Sequence, residues 1–252
     1  MAPAREGQAA GGGSAAPTRI WEIDFLRGLS IILMVGYHLL YDLNAMAGYK
    51  RFLGVGINLF DDYWMAAQIF FAGLFVLLSG ISSTLSRNNV RRALKLSGVA
   101  VLITVVTYVY DSSAAVHFGI LHCLAVCILI YGLSFKAAKP GTIAAAAAAV
   151  FIMSAARSLL LPAGTVPFDW LLPFGITGGA YMSVDYFPLL PWLGVFLAGT
   201  VLGKTVYARK RSLIRRPWPE TFINGAGRHS LLIYIVHQPI ILAFLYLLGL
   251  IR

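Results

Sequence analysis

Long, continuously apolar segments recur along this chain and limit what it can fold into. Seven of them lie near residues 22–45, 64–85, 93–110, 117–135, 141–161, 187–205 and 229–250. An α-helix needs about 20 apolar residues to cross the roughly 30 Å hydrocarbon core of a bilayer. Because backbone groups find no water in lipid, segments of this kind must be helical. The sequence therefore predicts an all-α fold, a polytopic transmembrane helix bundle with about seven spans.

The composition agrees with a membrane protein and argues against a nucleic-acid partner. The chain is 59% hydrophobic and 12% charged, whereas soluble domains carry roughly a quarter charged residues. Its net charge of +10 comes from basic residues at the ends of apolar segments, with no basic face on a soluble domain. The expected partner is the lipid bilayer, and the sequence leaves open whether the chain forms a homo-oligomer. Two cysteines are too few for a metal site, so no metal is expected.

The distribution of lysine and arginine predicts the orientation. With the N-terminus inside, 15 of the 20 basic residues fall in inner segments and 4 in outer ones, and Arg27 lies within the first segment. Cytoplasmic loops are enriched in these residues. We therefore expect a multi-pass protein of the inner (plasma) membrane with a cytoplasmic N-terminus and the C-terminus outside. Residues 1–18, rich in Ala, Gly, Ser and Pro, are expected to be a disordered cytoplasmic tail, and residues 19–252 one transmembrane domain.

The longest connection between segments, roughly residues 162–186, is predicted to lie outside and is rich in Gly and Pro. Long connections in compact domains are often lids or binding loops. A plain interfacial connector is an equally good interpretation, and the sequence does not choose between them.

The first apolar segment is interrupted by four ionisable residues, Asp24, Arg27, His38 and Asp42. At about 100° per residue they fall on one stripe of a helix. Charged groups are costly against lipid, so this stripe must face the bundle or a cavity, and ionisable residues inside a membrane are functional candidates.

The order of these residues along the helix suggests a role for each. Arg27, with Asp24 beside it, would lie near the cytoplasmic mouth and bind a phosphate-bearing donor through its planar fork. His38, roughly 16 Å further along, would be a catalytic general base. Asp42, one turn beyond, would orient the imidazole. The alternative is a structural Asp24–Arg27 pair at the membrane face and a packed, polar His38.

Three further polar residues, His122, His237 and Gln238, are predicted at a similar depth and would line the same site. His237 and Gln238 precede Pro239, which removes a backbone hydrogen bond and is tolerated in a membrane helix where the freed backbone is buried in protein or lines a cavity. Each histidine alone is more often a packing residue, but three at one depth favour a shared site.

Short motifs in a fixed order link the chain to a known family. They are residues 19–34 (RIWEIDFLRGLSIILM) with His38, 78–82 (LSGIS), 86–92 (SRNNVRR), 118–122 (FGILH), 185–192 (DYFPLLPW) and 227–234 (GRHSLLIY) with His237. In these motifs the chain resembles the bacterial relatives of the heparan-α-glucosaminide N-acetyltransferase catalytic domain. Arg27 and His38 also resemble the Arg-x10-His pattern of the wider group of membrane acyltransferases that O-acylate polysaccharides.

The resemblance implies a membrane acyltransferase. Its donor would be cytosolic acetyl-CoA or another acyl-CoA, and its acceptor a hydroxyl or amine of an extracytoplasmic sugar or polysaccharide. His38 carries over as the catalytic histidine and Arg27 as its donor-side partner, whereas His122 and His237 carry over as motif positions without a role. Direct transfer and an acyl-histidine intermediate both stay open. The rival function is a proton-coupled transporter or permease, because buried His, Asp and Arg also build proton relays.

Overall fold

The computed structural model describes residues 20–58, 61–113, 115–161, 164–179, 181, 183, 185–214 and 221–251. The predicted tail, residues 1–18, lies outside the described residues. Within them the regular structure is almost entirely helical, which confirms the predicted all-α class. The eight α-helices of the described residues are α1 (Trp21–Ala45), α2 (Asp62–Leu85), α3 (Asn89–Tyr110), α4 (Ile120–Ile130), α5 (Pro140–Leu160), α6 (Leu189–Thr205), α7 (Phe222–Arg228) and α8 (Ser230–Leu247).

The remaining elements are short and lie in the connections. A two-residue antiparallel hairpin, β1 (Arg51–Phe52) with β2 (Val55–Gly56), follows α1. A π-helical turn (Tyr131–Phe135) extends α4, and the connection between α5 and α6 contains β3 (Gly164–Val166) and a 3₁₀ turn (Leu172–Phe174).

Five helices, α1, α2, α3, α5 and α8, are long and apolar enough to cross a membrane. The predicted segments 117–135 and 187–205 coincide with shorter apolar helices, Ile120–Phe135 and Leu189–Thr205. Both begin later than predicted, because Gly119 and Pro188 before them have extended backbones. The chain is therefore a helical membrane protein with five helices of spanning length among its described residues, and the count of seven spans stays a prediction.

Glycine contacts bring two pairs of helices close together. A Cβ on Gly80 of α2 would lie 2.2 Å from the Phe196 carbonyl oxygen, and one on Gly199 of α6 would lie 2.1 Å from that of Leu77. The same holds between α1 and α7. A Cβ on Gly28 would lie 1.8 Å from the Ile223 carbonyl oxygen, and a Cβ on Gly227 would lie 1.8 Å from the Asp24 carbonyl oxygen. Small residues allow such close approach of backbones, which is typical of membrane helix pairs.

Each helix buries one face in the bundle, and the opposite face, which points outward, is also apolar. The largest buried cluster joins α4 and α6 through side chains such as Cys127, Ile128, Phe196 and Leu197. Outward-facing residues of α3 and α8 include exposed Val, Leu, Ile and Phe side chains. An apolar outer surface is stable against lipid, in agreement with the predicted environment.

Candidate active site

Two histidines from different helices meet in the bundle. The ring of His38 on α1 and the ring of His237 on α8 have centroids 4.9 Å apart and planes inclined by 59°. His237 is buried, with 8% of its surface exposed, and His38 is partly buried. The structure thus brings together two of the three histidines that the sequence assigned to a shared site.

The close crossing of α1 with α7 explains why these rings meet. Gly28 and Gly227 lie at that crossing, and each histidine follows ten residues later in the chain, His38 along α1 and His237 along α8. On α1 these ten residues are continuous helix and rise about 15 Å, whereas on the other side the chain breaks at His229 before α8 begins at Ser230. The crossing holds the start of α8 close to α1, so we expect a shift there to move His237 relative to His38.

The hydrogen bonds of His237 indicate its tautomer. Its Nδ1 lies 2.7 Å from the carbonyl oxygen of Tyr234. A carbonyl accepts and does not donate, so Nδ1 carries the proton and Nε2 carries a lone pair. Nε2 is buried and has no hydrogen-bond partner among the described residues. A buried acceptor without a partner is uncommon in proteins and is a candidate contact for a substrate or a proton.

Asp42 has a different partner from the one expected. Its carboxylate is buried, with 2% of the residue exposed, and its Oδ2 accepts a hydrogen bond from the side-chain amide of Gln238 at 2.8 Å. Within the described part of the chain, no hydrogen bond joins Asp42 to His38. The structure therefore places Asp42 and Gln238 beside the histidine pair, and the orientation of His38 by Asp42 stays a prediction.

Arg27 lies nearer the start of α1 and has two partners. Its guanidinium is 3.4 Å from the Asp24 carboxylate and donates a hydrogen bond to the hydroxyl of Ser82 on α2. The structural pair that the sequence left open is thus present. In this pair the Arg27 guanidinium still lies at the wall of a cavity. Arg27 can therefore pair with Asp24 and contact a ligand in the cavity at the same time.

That cavity, which we call the inner cavity, has a volume of about 450 Å³. It opens between the beginnings of α3 and α8, the end of the bundle that the charge distribution predicts to be cytoplasmic. Four cationic side chains line it, those of Arg27, Arg91, Arg92 and Lys95. Its deepest lining includes the apolar Leu121 and Leu124 together with the hydroxyl-bearing Tyr234. A cationic mouth that leads to an apolar interior suits an anionic ligand with an uncharged end.

A second cavity of about 260 Å³, the outer cavity, lies toward the opposite end of the bundle. Its walls combine polar groups of Gln68, Ser183 and Asp185 with the aromatic rings of Tyr186 and Trp192. Burial raises the pKa of the Asp185 carboxyl, and the smaller opposing effects are hydrogen bonds from the Tyr234 hydroxyl and the Ile120 amide. Concave surfaces with aromatic faces and a few polar groups are typical of small-molecule sites.

His122 lies outside this arrangement. Its Nδ1 accepts a hydrogen bond from the Gly119 amide at 3.2 Å, and its Nε2 is 3.1 Å from the hydroxyl of Thr104 on α3. Both ring nitrogens therefore have partners: the Nε2 contact joins α4 to α3, and the Nδ1 contact lies at the beginning of α4. Among the described residues, no ring contact or hydrogen bond joins His122 to His38 or His237, and this geometry suits a structural role.

Sequence reasoning did not single out Tyr234 and Asp185 as site residues, although both lie within the family-like motifs. Asp185 lies in the connection before α6, and Tyr234 precedes His237 by one helical turn. Nothing in the sequence indicates that they contact each other. Neither His38 nor His237 is among the described lining residues of the two cavities. Tyr234 connects the histidine pair to the inner cavity, because it lines that cavity and its ring centroid is 5.6 Å from that of His237.

Comparison with known proteins links most of the chain to one family model. The model of the family described as heparan-alpha-glucosaminide N-acetyltransferase, catalytic, matches residues 19–239, which is most of the chain. No curated protein and no solved structure matches the chain.

Proposed function

The chain belongs to the family of the heparan-alpha-glucosaminide N-acetyltransferase catalytic domain, a family of membrane acetyltransferases, and on this premise we propose that it transfers an acyl group across the bundle. The donor is acetyl-CoA or another acyl-CoA bound from the cytoplasmic side. The acceptor is a hydroxyl or amine of a sugar or glycan on the opposite side of the inner membrane.

The cationic inner cavity is the observation that carries this proposal. Coenzyme A bears several phosphate charges, and Arg27, Arg91, Arg92 and Lys95 surround the mouth of the cavity. Arginine binds phosphate through two parallel hydrogen bonds, which adds geometric specificity to the attraction. The apolar depth beyond Arg27 suits the uncharged pantetheine arm and its thioester. The charges thus hold the nucleotide end, while the acyl end points toward Tyr234.

The outer cavity supports an acceptor rich in hydroxyl or amino groups. Carboxylate, amide and hydroxyl groups of Asp185, Gln68 and Ser183 provide hydrogen-bond partners, and the Trp192 ring provides an apolar face. Sugars have hydroxyl edges and apolar faces, and a cavity of this composition complements both.

His38 is the group that we assign to the proton transfer. The acceptor oxygen or nitrogen attacks the thioester carbonyl, the new C–O or C–N bond forms, and the C–S bond breaks. The proton of the acceptor moves to the imidazole of His38, and coenzyme A leaves as a thiolate that takes up one proton. We assign the exchange of that proton to His237, whose ring centroid lies 4.9 Å from that of His38 and whose buried Nε2 has no hydrogen-bond partner among the described residues. General base catalysis of this type contributes roughly 10²–10⁴ to a rate.

The test uses purified protein in liposomes. Acetyl-CoA is supplied on the side that the basic loops face, and a pool of amino sugars and neutral glycosides on the other. We expect acetylated acceptor to appear together with free thiol, and neither product in liposomes without protein. Movement of a solute or proton without acyl-CoA, combined with no acetylated product from any acceptor, would instead indicate the transporter function.

A further inference from the structure

One pair of hydrogen-bonded side chains joins the two cavities. Tyr234 lines the inner cavity and Asp185 lines the outer one. The hydroxyl of Tyr234 donates a hydrogen bond to Oδ2 of Asp185 over 2.7 Å. A bond of this length to a carboxylate is charge-assisted and stronger than a bond between neutral groups.

The positions of the cavities along α2 show that this pair separates them. Gln68 and Ile69 of α2 line the outer cavity, whereas Phe75 and Ser79 of the same helix line the inner one. The six to eleven residues of helix between them correspond to about 9–16 Å. The cavities therefore lie one above the other along the bundle, and the Tyr234–Asp185 pair lies at their junction.

The Asp185 carboxylate accepts a second hydrogen bond. The backbone amide of Ile120, at the beginning of α4, donates a hydrogen bond to the same Oδ2 at 3.2 Å. A Cβ on the preceding Gly119 would lie 2.2 Å from that oxygen, so a side chain there would displace the carboxylate. Among the described residues no hydrogen bond ends on Oδ1, which leaves this oxygen available to a ligand in the outer cavity.

We infer that Tyr234 and Asp185 form the partition between the donor cavity and the acceptor cavity in the substrate-free chain, and that they position the two substrates at the hydrogen bond that must open for the acceptor to reach the thioester. The identity of the substrates rests on the proposed function, whereas the partition itself does not. Tyr234 closes the depth of the inner cavity next to the histidine pair, since its carbonyl also accepts the hydrogen bond from His237. Asp185 holds the Tyr234 hydroxyl and presents Oδ1 to the acceptor.

Kinetics with isosteric variants test the positioning role. Y234F and D185N keep the shape of each side chain and remove the hydroxyl or the charge. We expect Y234F to lower kcat by about 10- to 100-fold, because a hydrogen bond to a charged group is worth roughly 1.5–3 kcal/mol. D185N should have a smaller effect, since its side-chain oxygen can still accept the bond and only the charge is lost. KM for acetyl-CoA should stay unchanged, since the cationic mouth is intact. The double variant should be little worse than Y234F, because D185N only weakens the bond that Y234F removes.

A matched control comes from outside both cavities. Tyr63, at the start of α2, donates its hydroxyl to the Gly56 carbonyl and is not among the described lining residues of either cavity. Y63F should therefore keep kcat within about threefold of the wild type, because the neutral hydrogen bond that it removes lies away from both cavities. Equal losses in Y63F and Y234F, or wild-type kcat in both Y234F and D185N, would overturn the positioning role.

Chemical accessibility tests the partition without any acceptor. Ser79 lines the inner cavity, and S79C would place a thiol there. A membrane-impermeant thiol reagent should label this thiol from the inner side in every background. From the outer side it should label S79C in the Y234A background and not beside the native Tyr234. Cys123 and Cys127 are buried, and a chain without S79C measures their contribution.

The outcomes of the two experiments are distinguishable. Outer-side labelling of S79C beside the native Tyr234, or none in the Y234A background, would overturn the partition. The Y234A chain must first melt at a temperature close to that of the wild type; if it does not, D185A replaces it in the same assay. If labelling behaves as expected and no acyl transfer is found with any acceptor, the proposed function fails and the partition stands.

Discussion

The two ends of the candidate site differ in the interactions that they offer a ligand. The inner cavity gathers four cationic side chains on the first turns of α3 and near the start of α1. The outer part extends from the His38–His237 pair to the outer cavity and contains imidazole, amide and hydroxyl groups. Its two carboxylates, those of Asp42 and Asp185, both accept hydrogen bonds. The inner end is built to attract charge, and the outer end is built to orient groups.

This difference determines how each end responds to change. Of the four cationic side chains of the inner cavity, Arg91 and Lys95 are exposed and hydrated, so each of them adds modestly to ligand binding and one can substitute for the other. Buried hydrogen-bonded groups lie in a medium of low dielectric, where losing one partner leaves the other without compensation. Substitutions in the outer part should therefore have larger and more specific effects than those at the inner mouth.

The largest effect is expected from His38→Ala. This change removes the general base, so acyl transfer should fall by about 10²–10⁴. The fold should be little affected, because replacing a polar side chain by Ala inside a membrane bundle costs at most one hydrogen bond of about 1 kcal/mol. The measurement is release of free thiol from acetyl-CoA in the presence of the acceptor pool, with melting in detergent as the check on folding.

His229→Ala is the matched control for this change. His229 is exposed at the break between α7 and α8, and its Nδ1 is 3.0 Å from the carbonyl of Gly225, one turn away. Its loss should leave transfer within about threefold, since it removes one exposed hydrogen bond. Retention of more than a tenth of the wild-type rate by His38→Ala would end the catalytic assignment and transfer the role to His237.

Gly227→Ala should have the next largest effect, and it acts from a distance. The new Cβ would lie 1.8 Å from the Asp24 carbonyl oxygen, so α7 must move away from α1. Overpacking of this kind costs about 1–3 kcal/mol of stability. The histidines ten residues beyond would lose their register, and a misplacement near 1 Å can lower a rate by about 10².

Gly36→Ala separates this packing effect from the general cost of replacing glycine. Gly36 also lies within α1, but a Cβ there would have nothing within 4 Å. Alanine favours helix by about 1 kcal/mol over glycine, so the protein should be as stable as the wild type or more so. If both alanine variants transferred acyl groups at the wild-type rate, the crossing at Gly227 would not set the register of the histidines.

The inner end could be predicted from the sequence better than the outer one. Arg27 and Asp24 interrupt an apolar helix, and Arg91, Arg92 and Lys95 follow a predicted span, so composition and helical geometry alone place them near one membrane face. The fold class followed from segment length in the same way. These are properties of one helix at a time, which a sequence displays directly.

The arrangement of the outer end depends on contacts between helices, which the periodicity of a single helix does not predict. The stripe on α1 placed His38 and Asp42 on one face, but gave no reason for Asp42 to contact Gln238 of α8. The depth of His122 matched that of His237, yet its ring points to Thr104 of α3. Asp185 comes from a connection, where no helical rule predicts position. The span boundaries at 117 and 187 were early for a related reason: extended backbone at Gly119 and Pro188 delays both helices.

Arg27→Lys probes the inner end, where a smaller effect is expected. Lysine keeps the charge but lacks the planar fork that binds phosphate with two hydrogen bonds. Affinity for acetyl-CoA should fall by about tenfold in a titration of the purified protein, the loss of roughly one charge-assisted hydrogen bond. Arg87→Lys is the control, since Arg87 lies near the same end but is not among the described lining residues. Unchanged affinity in Arg27→Lys would restrict Arg27 to its structural pair with Asp24.

Asp42→Asn should have the smallest effect, and it separates the role predicted from the sequence from the contact that the structure shows. If the negative charge of Asp42 orients His38, neutralising it should lower transfer by 10² or more, as loss of the orienting carboxylate does in a catalytic triad. The structure instead gives Asp42 a hydrogen bond from the Gln238 amide, which an Asn side-chain oxygen can still accept. We therefore expect transfer within about threefold of the wild type, because the hydrogen bond persists in its neutral form and loses only the part of its strength that the charge supplied.

Asp42→Ala provides the comparison, since it leaves the partly buried Gln238 amide without that partner and should cost about 1–3 kcal/mol of stability. The measurement is thiol release at saturating acetyl-CoA together with melting of both variants. A hundredfold loss in Asp42→Asn at unchanged melting temperature would show that the charge acts on His38, and that the contact with Gln238 is secondary.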